Sequence, residues 1–204
     1  MTGVDNLLAK SIDTTIRSNL SEKTLQKIET RLFEKYGLSI TQSLEEFQKL
    51  DGVLREFFGA GADGLERNIL KNVCSMEKSK STEAEWMVME DQSLVKKILE
   101  AFGDEDKKNI MSALTEEPRI ISEVLEVCKI PQTSGYRKIN ALIDDGIIIP
   151  HGYITTKDGK KVNKYTSLFE NVKIDIVKNK ITVKVKIANE FLKTSSLVPI
   201  IQAL

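Results

Sequence analysis

Six side chains that could bind nucleic acid follow Pro131 within seven positions. They offer amide, hydroxyl, phenol and cationic groups: Gln132, Thr133, Ser134, Tyr136, Arg137 and Lys138. A glutamine can bind adenine through two hydrogen bonds, an arginine can bind guanine in the same way, and a threonine methyl can contact thymine. Hydroxyl groups and a lysine are suited to phosphate. If this segment is helical, its first turns can read the edges of DNA bases.

A second group of cations surrounds a hairpin signal further along the chain. The run Lys-Asp-Gly-Lys at 157–160 has the composition of a tight turn between two strands. The lysines in and beside this turn are Lys157, Lys160, Lys161 and Lys164. We expect such a finger to reach a neighbouring groove or its phosphates, and so to position the protein more than to specify sequence. Lysines on exposed hairpins also block edge pairing, and this alternative stays open.

Hydrophobic periodicity indicates the elements that must hold these groups. It predicts helices after Asp104, after Pro118 and from Pro131, a residue suited to a first helical turn, and a β-hairpin after Gly146. This is the order of a winged helix-turn-helix, in which one helix enters the major groove and the preceding helix braces it. The recognition helix is predicted over residues 131–145 and the wing over 153–165. Alternating residues after Val172 predict a further two-stranded hairpin.

The same region resembles a known family. The segments that carry the resemblance are DKKNIMSAL at 106–114, IPQTSGYRKI at 130–139, LIDDG at 142–146 and DGKKVNKY at 158–165. They resemble the ArsR-type winged-helix regulators common in archaea, with the hydroxyl order reversed at Thr133 and Ser134. The resemblance covers about half of the chain and implies homodimers that read a pseudo-palindromic site. Some members sense metals through cysteine pairs, but Cys128 is the single cysteine here, so no metal site is predicted.

The fold class expected from these patterns is α+β, mainly α. Residues 1–74 are predicted to form a helical domain, with a helix capped by Ser21 and ended by Gly37. This domain faintly resembles small helical output domains of archaeal signalling proteins, and it could sense a small ligand, dock a protein partner or extend a dimer. The polar residues 75–91 are predicted to be a linker, 92–187 the winged helix-turn-helix domain, and 188–204 a helical tail. The apolar stripe of this tail predicts packing across a subunit interface or onto the N-terminal domain.

The distribution of charge favours nucleic acid although the chain as a whole is neutral. The chain contains 30 basic and 30 acidic residues. Residues 1–90 hold 15 acidic and 12 basic residues, whereas residues 129–187 hold 12 basic and 5 acidic residues. A local basic surface is enough to displace counterions from DNA.

Other classes of function find little support in the sequence. There is no nucleophile–base pair, no metal triad and no nucleotide-binding fingerprint, so we expect neither an enzyme nor a cofactor. The two cysteines, Cys74 and Cys128, are far apart and are interpreted as small buried thiols. No apolar run approaches the ~20 residues that span a bilayer, and the first residues lack a signal peptide, so a cytoplasmic location without membrane contact is expected.

The prediction is therefore a transcription regulator that binds double-stranded DNA as a homodimer. Three regions offer apolar surface for the dimer: residues 94–102, the strands after Val172 and the terminal segment. Two alternatives stay open. One is an adaptor that uses the winged helix to bind a protein, and the other is a sensor that responds to a ligand or, through Cys128, to oxidation.

Overall fold

Helices make up the N-terminal half of the chain. The computed structural model describes residues 3–78 and 85–203, apart from the side chains of Glu45 and Lys78. The helices are α1 (Gly3–Asn19), α2 (Glu22–Tyr36), α3 (Ile40–Ser43), α4 (Phe47–Phe58) and α5 (Gly61–Val73), with a 3-10 turn at Leu44–Glu46. Ser21 caps α2 by accepting a hydrogen bond from the Thr24 N–H, as its position predicts. Gly37 ends α2 in the left-handed conformation, with φ of 68°.

The C-terminal half mixes strands and helices, so the α+β class is confirmed. Its elements are β1 (Cys74–Lys78), β2 (Glu85–Met89), α6 (Gln92–Gly103), α7 (Glu105–Glu116), α8 (Ile121–Val127), α9 (Gln132–Asp144), β3 (Ile148–Thr155), β4 (Lys161–Ser167), β5 (Phe169–Val177), β6 (Lys180–Ile187), α10 (Asn189–Thr194) and α11 (Val198–Gln202). Within the described ranges, no helix has both the length and the apolar character needed to cross a membrane.

The strands form two antiparallel sheets, β3 with β4 and a four-stranded sheet in the order β1-β2-β6-β5. The predicted linker is therefore wrong for residues 75–78 and 85–89, which are strands, while residues 79–84 lie outside the described residues. Met87 and Met89 of β2 are buried, whereas the opposite face of β1 and β2 mixes polar Ser75 and Glu77 with half-buried Trp86 and Val88, so these short strands show no clear alternation in sequence. The predicted second hairpin is β5–β6, but β2 extends it into the larger sheet.

Helix α1 joins the two halves of the molecule. A β-carbon at Gly3 would come within 2.7 Å of Ile149 Cδ1 in β3, and one at Gly146 would come within 2.7 Å of the backbone nitrogen of Leu7. The ammonium group of Lys10 also donates to the Asp144 carbonyl at the end of α9, at 3.3 Å. One hydrophobic core runs from α1 through α6 to the base of the β3–β4 hairpin.

The C-terminal segment packs onto the N-terminal helices, which is one of the two arrangements predicted for it. Leu197 and Ile201 are buried. The buried Asp5 carboxylate of α1 accepts hydrogen bonds from the Ser195 hydroxyl and from the backbone N–H of Ser196, the latter at 3.0 Å. Packing and hydrogen bonds thus fix α10 and α11 against α1 and α5, so the apolar side chains of the terminal segment pack within the chain.

Candidate nucleic-acid interface

The helices α8 and α9 approach each other closely at Gly135. A β-carbon at this position would lie 2.3 Å from Leu125 Cδ2 of α8 and 3.2 Å from Ile130 Cγ2 of the connecting turn. Lys129 has a left-handed backbone, with φ of 54°, and the Ile130 N–H donates to the Leu125 carbonyl at 3.0 Å. The tight turn therefore fixes the start of α9 relative to α8, and its buried side chain, Ile130, anchors it to the core.

The first turns of α9 expose most of the predicted site. Gln132, Thr133, Tyr136 and Arg137 face solvent, whereas Ile139 on the opposite side of α9 is fully buried. The hydroxyl of Ser134 is half-buried and donates to the Pro131 carbonyl at 3.1 Å. Pro131 precedes the first helical residue and supplies no side-chain cap, so the N–H groups of the first turn are not bound by a capping side chain. This end of α9 presents donors and a positive dipole end to solvent.

Lys138 differs from the other predicted contact residues because it is held in an intrachain ion pair. Its ammonium group lies 2.6 Å from both carboxylate oxygens of Asp104 and 3.1 Å from Asp106. The hydrogen bond from Lys138 lowers the pKa of Asp104, helped by the Lys107 backbone N–H that Asp104 caps. Lys138 therefore links α9 to the start of α7, and its ammonium group is already engaged.

Strand register divides the predicted wing lysines between two faces of the β3–β4 hairpin. Tyr153 is opposite Asn163 and Thr155 is opposite Lys161, so these four residues share one exposed face. The ammonium group of Lys161 lies 4.4 Å from the Tyr153 ring centroid, within reach of a cation–π interaction. Lys164 lies three residues after Lys161 in β4, so its side chain points to the opposite face of the hairpin.

The hairpin loop carries the remaining wing lysines. Lys157 and Lys160 are exposed at the tip, and Gly159 adopts a left-handed φ of 79° that closes the loop. The Thr156 N–H donates to the Lys160 carbonyl at 2.8 Å. The tip is thus ordered by backbone bonds, and its two lysines extend away from the body of the protein.

A groove of about 330 Å³ separates α9 from this face of the hairpin. It is lined by Ser122, Tyr136, Lys161, Asn163 and Tyr165, among others. Ser122, Tyr153 and Asn163 were not among the residues predicted from sequence. The alternation within β3 and β4 could have indicated Tyr153 and Asn163, because both share the parity of Lys161. Ser122 could be found only from the packing of α8 beside the hairpin.

A backbone bridge ties the hairpin to the helices. The N–H of Arg119 donates to the Tyr165 carbonyl at 3.0 Å, and the N–H of Tyr165 donates back at 2.8 Å. Thr166 also donates from its hydroxyl to the Leu114 carbonyl of α7 at 3.0 Å. These bonds fix the hairpin beside α8, so the distance between its exposed face and α9 is set by backbone contacts.

Acidic side chains are present on the same elements and must be included in any charge argument. Glu123 and Glu126 are exposed on α8, and Asp158 is exposed in the hairpin loop. Glu123 accepts a weak hydrogen bond from the Ile120 N–H at 3.3 Å. With Asp144 at the end of α9, these elements expose four carboxylates against five cations, which are Lys129, Arg137, Lys157, Lys160 and Lys161, and Lys160 lies 3.7 Å from Asp158.

Neither cysteine has the environment of a reactive thiol. Burial raises the pKa of Cys74, the first residue of β1, to about 12. Burial also raises the pKa of Cys128, which is only half-buried at the end of α8. A thiol with a raised pKa is a weak nucleophile at neutral pH. The redox alternative therefore gains no support from these two sites.

Comparison with known protein families, characterised proteins and solved structures gives no match for this chain. The family resemblance seen in the sequence motifs thus stays an expectation.

Proposed function

We propose that residues 104–167 form a winged helix-turn-helix and that the protein is a transcription regulator that binds double-stranded DNA. The observation that carries this proposal is the shared exposure of the first turns of α9 and the Lys161 face of the hairpin, on either side of one groove. In this interpretation α8 and α9 are the helix-turn-helix, the hairpin is the wing, and the bridge at Arg119 is the short strand that attaches the wing.

The side chains of α9 divide into reading and positioning groups under this proposal. Gln132, Thr133 and Arg137 are exposed at the end of a helix that a major groove can admit, and they have the chemistry to contact base edges. Tyr136 borders the groove and suits a phosphate or sugar contact. Lys138 has a different role: its ion pair with Asp104 orients α9, so it positions the reading residues without itself contacting DNA.

The wing lysines supply the electrostatic part of binding. Lys157, Lys160 and Lys161 are exposed on the tip or on the groove side, and each phosphate they neutralise releases counterions. Tyr153 beneath the Lys161 ammonium group adds a planar surface to the same face. Lys164 lies on the opposite face of the hairpin, so we expect it to contribute little to this contact.

The test is a titration of purified protein with a pool of random duplexes, followed by sequence selection and repeat titrations at several salt concentrations. We expect binding that weakens steeply with salt. Arg137→Ala should weaken binding to the selected duplex by about 10- to 100-fold and relax its sequence preference. The matched control is Lys96→Ala on α6, which removes an exposed cation that does not line the groove.

The two strand lysines give a second, internally controlled comparison. Lys161→Ala should weaken binding on all sequences alike and reduce the salt slope by about one. Lys164→Ala removes the same charge from the other face of β4 and should change little. The proposal is wrong if no duplex binds in a salt-dependent way, or if Arg137→Ala binds the selected duplex as the parent protein does.

We further propose that the protein forms a homodimer through β5. Two of the three regions predicted for a dimer are used within the chain, because Leu94 and Ile98 of α6 and Leu197 of the terminal segment are buried. The edge strand β5 instead leaves Ile174 at 38% and Ile176 at 68% exposure. An edge strand with exposed apolar residues is a template on which a strand of another chain can pair.

The sequence of β5 complements a second copy of itself. In an antiparallel pair centred on Ile174, Lys173 of one copy is opposite Asp175 of the other, twice by symmetry. Val172 is then opposite Ile176 on the apolar face of the sheet. The pairing matches both the charges and the apolar residues, and it joins two four-stranded sheets into one.

Solution mass tests this interface. Ile174→Lys or Ile176→Lys should halve the mass, whereas Phe33→Lys, on an equally exposed residue of α2, should not. Lys173→Asp and Asp175→Lys should each weaken the dimer, and the double swap should restore it. The β5 interface is wrong if the parent protein is a monomer, or if the Ile174→Lys and Ile176→Lys variants remain dimers. Neither result would change the outcome of the DNA titration on a single half-site.

A second candidate, a protein-docking role for the same surface, is favoured by two exposed apolar side chains. Val127 at the end of α8 is 54% exposed and Tyr136 is 43% exposed. A protein partner would bury both. Absence of DNA binding in the titration above would favour this adaptor function.

A further inference from the structure

Three carboxyl groups converge between α4 and α5, far from α9. Asp51 comes from α4, and Asp63 and Glu66 come from the first turns of α5. One oxygen from each lies within 4.8 Å of the others. The spacing of 63 and 66 places both side chains on one face of α5, and the turn around Gly59 folds α4 back beside that face.

Glu66 is the unusual member of this cluster. The residue is only 6% exposed, and its Oε1 atom has no hydrogen-bond partner within the described part of the chain. A buried carboxylate oxygen without a partner costs free energy, so it requires an explanation. Burial, followed by a side-chain hydrogen bond with Asp51 and by the charge of Asp51, raises the pKa of Glu66 to about 8.

Arg55 compensates only part of the negative charge. Its Nε lies 2.7 Å from Asp51 Oδ1, and its Nη2 donates to Asp63. One guanidinium group thus serves two of the three carboxyls and leaves Glu66 Oε1 unpaired. The Arg55 side chain is 47% exposed, so it can move into solvent without breaking any core packing.

The carboxyl groups border a cavity of about 340 Å³. Gln48 of α4 and Ile200 of α11 also line it. The cavity admits a small ion with its water ligands, and the Gln48 amide offers another oxygen. Mg²⁺, Ca²⁺ and Mn²⁺ are bound in proteins by such sets of carboxylate, amide and water oxygens.

We propose that Asp51, Asp63 and Glu66 form a binding site for one divalent cation that prefers oxygen ligands, and that the cation displaces Arg55 from the carboxylates. The unpaired Glu66 oxygen gains a partner when the ion binds. The site was not predicted from sequence because its ligands come from two helices and include no histidine or cysteine. It stands independently of the DNA-binding and dimer proposals.

The experiment is a titration of chelator-treated, metal-free protein with Mn²⁺, in which the loss of the free-ion paramagnetic resonance signal counts bound ions. We expect one bound Mn²⁺ per chain, displaced by excess Mg²⁺ or Ca²⁺. Glu66→Gln and Asp63→Asn should each weaken binding at least tenfold. Asp63 is largely exposed, so its variant keeps the fold if Glu66→Gln does not. The matched control, Glu56→Gln, removes an α4 carboxylate that pairs with Arg31 and Lys35.

Arg55→Ala separates a metal site from a purely structural ion cluster. Because Arg55 competes with the cation, its removal should strengthen Mn²⁺ binding. In a structural cluster the same change would not do so. Absence of bound Mn²⁺ at millimolar concentration, unchanged binding by Glu66→Gln and Asp63→Asn, or weaker binding by Arg55→Ala would each overturn the proposal.

Discussion

Gly146→Ala tests whether α1 packs against the end of α9. Gly146 ends α9 in a left-handed conformation, with φ of 72°. Its N–H donates to the Ile143 carbonyl at 2.9 Å, and the next N–H donates to the Leu142 carbonyl at 2.9 Å, which is a Schellman motif. An added β-carbon would meet the Leu7 backbone nitrogen at 2.7 Å and its Cα at 2.8 Å. The obstacle is backbone, so no side-chain rotation can relieve it.

Two costs add up in this variant. A left-handed alanine costs about 1 kcal/mol or slightly more. Carbon atoms pack at about 3.5–4.0 Å, so α1 must retreat by roughly 0.7 Å or more, and such overpacking costs about 1–3 kcal/mol. We therefore expect Gly146→Ala to lower the free energy of unfolding by about 2–5 kcal/mol, which leaves a folded protein if its stability is in the usual range of about 5–15 kcal/mol.

Gly37→Ala is the matched control. Gly37 also ends a helix with a left-handed φ, of 68°, but no atom lies within 4 Å of the position of its β-carbon. Gly37→Ala should therefore lower the free energy of unfolding only by the cost of a left-handed alanine, about 1 kcal/mol. The difference between the two variants isolates the contact with α1.

The assay is equilibrium unfolding in urea, followed by circular dichroism and by the fluorescence of Trp86, which lies in β2. The single core predicts one coincident transition for both probes. If Gly146→Ala and Gly37→Ala lose the same stability within about 0.5 kcal/mol, or if the probes report separate transitions, then α1 does not pack against the α9–β3 junction and the reasoning is refuted.

Three further changes test other contacts. Asp104→Asn keeps a helix cap but removes the negative charge that Lys138 binds. Because folding lowers the pKa of Asp104, the parent protein should be more stable than this variant at neutral pH, by about 1 kcal/mol or less. Urea unfolding at several pH values should show this difference vanish as the pH falls below about 4 and through the pKa of the folded carboxyl group. Leu197→Ala should cost about 2–5 kcal/mol in thermal or urea unfolding because this side chain of the terminal segment is fully buried. Gly135→Ala should destabilise the protein and weaken DNA binding, since the new methyl group would displace Leu125 and separate α8 from α9.

Each of these changes has a control. Asp158→Asn removes a carboxylate from the exposed hairpin loop and should leave the pH profile unchanged. Phe33→Ala truncates a side chain that is 71% exposed and should cost little. Gly64→Ala adds a methyl group to open space within α5 and should stabilise slightly. The ion pair between Asp104 and Lys138 is contradicted if the effect of Asp104→Asn does not depend on pH. The packing of Leu197 is contradicted if Leu197→Ala costs no stability. The close contact between α8 and α9 is contradicted if Gly135→Ala is as stable as Gly64→Ala.

The sequence by itself determined the local elements. Ser21 and Gly37 bound α2 as their types predict, and Pro131 and Gly146 bracket α9. The exposed face of its first turns also follows from the 3.6-residue period, because Ile139 and Leu142 define the opposite side. Caps, turns and periodicity depend on residues close in the chain, so the sequence contains all the information that they need.

Tertiary structure alone decided which elements meet. The short strand β2 is held by β6, about a hundred residues further along the chain, for example at Met87 and Val185, and β1 in turn pairs with β2. The ion pair between Lys138 and Asp104, which lies at the start of another helix, likewise has no signal in the local sequence. The carboxyls of Asp51 and Glu66 meet only when α4 and α5 pack. Pairings over long sequence separations depend on the packing of the whole core, and no local pattern encodes them.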